Sequence, residues 1–182
     1  MWVGGTLLEA EGGQAYNTFA LFDTEGDLRA AYRKVHLFRL MGEDRWLASG
    51  DRFVTVDLGW GTAGLATCYD LRFPEMFRAL VAGGATILLV PAAWPEVRAK
   101  HWSLLLRARA VENQCFVLGC NCTGSGKGQD FAGLSAVIDP WGDVCAEAGS
   151  APGLVTAAID PGLAEQVRST LPALSDRRPE LY

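Results

Sequence analysis

The sequence predicts an α/β fold built on a mixed sheet, and three stretches carry that prediction. "ATILLVPAAW" at 85–94 is a continuous β-branched and aliphatic run, "PEVRAKHWSLLLRARAVENQ" at 95–114 has helical spacing, and "CFVLGCNC" at 115–122 returns to strand character. An apolar run without alternation suits a strand covered on both faces. The order strand, helix, strand, helix, strand then implies parallel pairing through crossovers.

The elements follow in order. "MWVGGTLLEAEGG" and "AYNTFALFDTEGDLRAAYRK" predict antiparallel strands, with Tyr16 to Phe22 and Leu28 to Tyr32 flanking the Gly-containing turn "DTEGD". Arg52 to Asp57 and Leu65 to Cys68 are predicted as short strands joined through "LGWGTAG". "PEMFRALVAGG" predicts a helix with Pro74 at its start, Met76, Phe77 and Leu80 on one side, and Gly83 at its stop. In the next helix the spacing selects Val97, His101, Leu104 or Leu105, Ala108 and Val111 as the inward positions. "LSAVIDPWGDVCAEAG" and "GLVTAAIDP" predict further antiparallel strands around turns at Pro140 to Asp143 and Ser150 to Gly153. With neither repeats nor a linker, residues 1–182 are read as one domain.

The composition removes several classes of function. The chain has 182 residues, 49% hydrophobic and 20% charged, with a net charge of -5 and acids and bases interspersed. That balance is ordinary for a globular protein and lacks the basic footprint of a nucleic-acid or anionic-membrane binder. The apolar runs are too short to span a bilayer and the first residues lack a secretory pattern, so a cytoplasmic protein is expected. Five cysteines without such a signal point to reduced thiols. Cys115, Cys120 and Cys122 do not form a metal set, because a strand turns Cys115 away from the other two and neither His36 nor His101 has ligand spacing. No metal is expected.

Cys68 lies in "ATCYDLRFPEM", between a strand and the turn into a helix. Open α/β sheets place ligands at such strand ends, and a nucleophile there is held on rigid backbone. A helix N-terminus and a cation nearby would favour the thiolate that attacks carbonyls. A buried filler of the core is the competing reading, and position alone does not separate the two.

Five motifs in order do more. "YRKVHLF" at 32–38, "CYDLRFPE" at 68–75, "PAAWP" at 91–95, "RARAVENQ" at 107–114 and "DRRPELY" at 176–182 resemble the consecutive signatures of the nitrilase (carbon-nitrogen hydrolase) superfamily. The wording around Lys34 and Cys68, with "HLFRLMGED" between them, looks closest to its omega-amidase-like branch. The resemblance implies a four-layer α-β-β-α sandwich with mixed sheets. It also implies hydrolysis of a small, carboxylate-bearing amide through a cysteine thioester, with no organic cofactor, in a homodimer.

Residue by residue, the resemblance makes Cys68 the nucleophile and Lys34 the cation that stabilises thiolate and oxyanion, the latter together with the Tyr69 backbone N–H. Glu43 matches an auxiliary glutamate that orients the lysine, and Trp94 could wall the substrate pocket. Glu75 belongs to the cysteine motif and to the helix start, where a carboxylate favours the dipole. Asp70 and Arg72 are expected to brace the turn, and Arg109 with Glu112 to form a structural ion pair. The family's general-base glutamate ends the second of two strand and helix units that precede the segment matched here, so an N-terminally incomplete domain is expected. Glu9 or Glu11 is a remote substitute for that base. The alternatives are a catalytically dead or truncated binding subunit, and a thiol redox protein using Cys68, the latter without a C-x-x-C partner.

Overall fold

The computed structural model describes residues 1–126 and 128–181; Tyr182, the end of "DRRPELY", lies outside the described residues. Strand β1 (Val3–Glu11) turns through Gly12 and Gly13, both at positive φ, into β2 (Gln14–Phe22). That turn needs the left-handed backbone glycine adopts without penalty. At "DTEGD" the Asp23 carboxylate accepts hydrogen bonds from the N–H groups of Glu25 and Asp27 and turns the chain into β3 (Leu28–Arg33). These strands form an antiparallel sheet in the order β1-β2-β3.

Strands β4 (Val54–Asp57), β5 (Thr62–Leu65), β6 (Ile87–Ala92) and β7 (Phe116–Asn121) belong to a second sheet. The two-residue strands β8 (Ser125–Gly126) and β9 (Gln129–Asp130) pair only with each other, and β10 (Ala136–Ile138) with β11 (Val144–Glu147) complete the large sheet. Its order is β11-β10-β7-β6-β5-β4, with β5, β6 and β7 parallel and the outer pairs antiparallel. The mixed sheet expected from the apolar runs is therefore present. Helices α1 (Pro74–Ala82) and α2 (Ala99–Asn113) are the crossovers between its parallel strands. Pro74 opens α1, whose Met76, Phe77 and Leu80 are buried, each such side chain contributing about 1.5–3 kcal/mol. Helix α3 (Leu163–Thr170) buries Ala164 and Val167.

Both sheets share one core. Phe19, Leu21 and Tyr32 from the small sheet cluster with Leu65, Leu71, Met76 and Phe77. This is the sheet-on-sheet contact of an α/β sandwich.

Three expectations need correction. The strand predicted from Leu65 to Cys68 instead ends at Leu65, and Cys68 opens a 3-10 turn, Cys68–Arg72. Residues 153–161 form no strand among the described residues: Val155, Ala157 and Ile159 alternate between half-buried and exposed neighbours, yet no described strand pairs with the segment. Alternation reports a covered face, whereas a strand also needs a hydrogen-bonded neighbour. Helix α2 starts at Ala99, after a 3-10 turn that leaves Val97 exposed, and is rotated: Trp102, Leu106 and Ala110 face inward, while Leu104 and Val111 are exposed. Apolar residues lie on both sides of this helix, so periodicity alone chose the wrong stripe.

Gly119 on β7 shows why that stripe wins. A Cβ there would sit 2.7 Å from Leu106 Cδ1 and 2.8 Å from Trp102 Cζ2, so the missing side chain admits the helix. Gly119→Ala is expected to destabilise the fold by about 1–3 kcal/mol in urea unfolding. Unchanged stability would mean that α2 can shift freely.

Candidate active site

The turn carrying Cys68 is shaped by one carboxylate. Asp70 is 0% exposed. Its Oδ2 accepts hydrogen bonds from the Thr67 N–H at 2.8 Å and the Tyr32 hydroxyl at 2.7 Å. Its Oδ1 takes the His36 N–H at 3.1 Å and lies 2.8 Å from His36 Nδ1. The His36 ring stacks on Phe73, with centroids 3.8 Å apart. The brace expected of Asp70 is present, and it spans both sheets. Cys68 itself has φ +50°, a left-handed conformation that a non-glycine residue holds only when its surroundings dictate it.

Lys34 follows Tyr32 by two residues, at the end of β3. It is 3% exposed, and its Nζ donates to Glu43 Oε2 at 2.6 Å. Glu43 sits in a 3-10 turn after Gly42, whose φ is +68°. The same Oε2 accepts the Phe38 N–H at 2.7 Å, and Oε1 accepts Asn17 Nδ2 at 3.3 Å. Burial would raise the pKa of Glu43, but the bonds from Lys34 and the Phe38 N–H outweigh it and hold the group below its ordinary 4.5. The ion pair thus persists to a lower pH than an ordinary glutamate would allow, and is lost as pH falls through the lowered value.

Burial pushes the Cys68 thiol above its ordinary 9.0, against the downward pull of Lys34 and of a backbone hydrogen bond from Ala93. The carboxylates of Glu43 and Asp70 add to the upward push. Lys34 therefore acts on the thiol in the expected direction, but desolvation outweighs its pull.

Cys68, Tyr69 and Trp94 line one open, shallow cavity, together with Phe38, Arg72 and Arg98. Trp94 is fixed by its indole N–H, which donates to the Arg98 carbonyl at 2.9 Å, and by its backbone N–H on Asn121 Oδ1 at 2.7 Å. The five residues singled out from sequence fall into two groups, the Lys34–Glu43 pair and the cavity lining of Cys68, Tyr69 and Trp94, linked by the electrostatic action of Lys34 and Glu43 on Cys68. Sequence reading missed Phe38, Asn17 and Arg98; only Phe38 lay inside a quoted motif. Glu75 is exposed in the first turn of α1. Glu9 and Glu11 are both taken up by Arg33, at 2.6 Å each, and the hydrogen bonds from Arg33 and Thr18 depress Glu9 to about 2, which makes it a poor base. Arg109 and Glu112 pair at 2.7 Å as expected. Among the described residues no group of three or more acidic, histidine or cysteine side chains could hold a metal.

A buried lysine paired with a half-buried glutamate is thus in electrostatic contact with a cysteine at a strand-to-helix turn, and comparison with known proteins gives the family. The carbon-nitrogen hydrolase family model matches residues 1–169. A 2-oxoglutaramate amidase of Bacillus subtilis is 46% identical over 182 residues, covering 99% of this chain and 70% of that protein. Human omega-amidase NIT2 is 36% identical, with 99% of this chain and 68% of that protein covered. The crystal structure of Saccharomyces cerevisiae Nit3, a member of branch 10 of the nitrilase superfamily, superposes with a TM-score of 0.89 at 36% identity, covering 97% of this chain and 65% of that one. This chain belongs to the carbon-nitrogen hydrolase family, the nitrilase superfamily, on its omega-amidase-like side.

The electrostatics make a prediction. Lys34→Met keeps the length of the side chain without its charge, and is expected to move the pH midpoint of Cys68 alkylation by iodoacetamide still higher and to slow alkylation at pH 8. An unchanged midpoint would contradict electrostatic contact between the two groups.

Proposed function

We propose that residues 1–182 act as one amidase domain that hydrolyses the C–N bond of a small carboxylate-bearing amide through a thioester on Cys68. The observation carrying this reading is the buried ammonium of Lys34, held 2.6 Å from Glu43 and acting on the Cys68 thiol. The substrate class is supported by relatives named as 2-oxoglutaramate amidase and omega-amidase.

In this reading the Cys68 sulfur bonds to the amide carbonyl carbon as its proton passes to solvent, which later supplies the proton taken up by the leaving nitrogen. The carbonyl oxygen takes up the electron pair, and Lys34 with the Tyr69 N–H stabilises that oxyanion. The C–N bond then breaks as a proton passes to nitrogen, and ammonia or an amine leaves. Water attacks the thioester and returns the free thiol and a carboxylic acid. Glu43 keeps Lys34 aimed through their 2.6 Å ion pair. Trp94 walls the acyl chain. The scheme needs no metal or organic cofactor, and we place it in a cytoplasmic homodimer. Among the described residues no helix is long and apolar enough to cross a membrane.

A second reading, a binding or regulatory subunit, is favoured by one observation: none of the residues lining the cavity is a carboxylate that could take the thiol proton. General acid–base groups contribute about 10²- to 10⁴-fold, so the two readings separate on rate. Incubation with succinamate is expected to give an acyl mass increase on Cys68 and ammonia beyond one equivalent, with Cys68→Ala losing both. Adduct without further ammonia would favour the binding subunit, and turnover surviving Cys68→Ala would remove the thioester mechanism.

A further inference from the structure

The cavity at Cys68 is lined by two guanidinium groups, and the two are held differently. Arg72 is committed to the wall. Its terminal nitrogens lie 3.4 and 3.3 Å from His101 Nδ1, and its guanidinium stands 4.7 Å from the Trp94 ring centroid. Arg98 is half-buried, with its guanidinium 5.7 Å from the Phe38 centroid, and no carboxylate pairs with it among the described residues. By contrast Arg33 holds two glutamates and Arg109 holds one.

Arg98 is also positioned in advance. Its carbonyl accepts the Trp94 indole N–H at 2.9 Å, which ties its backbone to the cavity wall, while the Phe38 ring attracts its guanidinium. A planar guanidinium that is only partly desolvated and preplaced suits a carboxylate, which it can hold through two parallel hydrogen bonds. The aromatic lining from Phe38, Tyr69 and Trp94 suits a short methylene chain.

We propose that Arg98 is the specificity-determining residue that binds the carboxylate of the substrate, leaving the amide at the far end of a short methylene chain to meet Cys68. This rests on the amidase reading and adds the residue that selects a dicarboxylate monoamide over a neutral amide. Arg98 takes no part in bond breaking. Its loss is therefore expected mainly in KM, with kcat changing less.

The test compares succinamate with butanamide, which has the same chain length and lacks the charge. Arg98→Gln is expected to lower the preference for succinamate, as the ratio of the two kcat/KM values, about 10- to 100-fold, with Arg98→Lys recovering part of it. A preference unchanged in Arg98→Gln would overturn the assignment while leaving the amidase reading intact. A second arm needs no turnover: succinate is expected to protect Cys68 from iodoacetamide in the wild-type chain and to protect it at least tenfold less well in Arg98→Gln. If no amide is turned over and this Arg98-dependent protection persists, the amidase reading fails and the carboxylate site stands. Equal protection in both proteins would overturn the carboxylate site.

Discussion

The buried carboxylate of Asp70 is the contact on which the rest of the site depends. It receives the Thr67 N–H from the turn that carries Cys68, and the Tyr32 hydroxyl and His36 N–H from the end of the small sheet. Two sheets with independent hydrogen-bond ladders are thereby brought into one register where the chemistry sits. Burial and the Asp70 carboxylate push the Tyr32 hydroxyl far above the usual phenol range, which keeps it a neutral donor. A buried acceptor with this many donors is stabilising only while all of them stay in place, so the network tolerates little displacement. Lys34 lies between Tyr32 and His36 in sequence, and its placement follows from theirs.

The second constraint is electrostatic. Lys34 is 3% exposed, and Glu43 is its counter-ion at 2.6 Å. Burial of the sulfur and the Glu43 carboxylate oppose the pull of Lys34 on the Cys68 thiol. A substrate that brings its own carboxylate to the cavity meets a cation at Arg98, away from this balance.

Much of this arrangement was legible in the sequence, for reasons that differ by residue. Strands β6 and β7 were readable because strands covered on both faces are apolar throughout, and α1 because Pro74 and Gly83 mark its ends. Lys34, Glu43 and Cys68 were readable through motif resemblance; no periodicity puts residues 34 and 68 together. The inward face of α2 was not readable, because Leu104 and Val111 are as apolar as Trp102 and Leu106, and only the absence of a side chain at Gly119 decides between the stripes. Residues 153–161 alternate as a strand does, but pairing depends on a neighbour that the segment does not itself encode. The direction of the Cys68 shift was missed because it is set by burial and by the carboxylates of Glu43 and Asp70, all of which are tertiary. Arg98 was missed because nothing in "PEVRAK" marks one arginine as facing a cavity.

The claim that Asp70 welds the two sheets at the reactive turn is tested most directly by a double-mutant cycle on Tyr32→Phe and Asp70→Asn, read by equilibrium unfolding in urea. The account predicts that the two changes are strongly non-additive, with an interaction energy of about 1–3 kcal/mol. Additivity to within about 0.3 kcal/mol would mean that the hydrogen bond between them carries no shared structure, and would contradict the account.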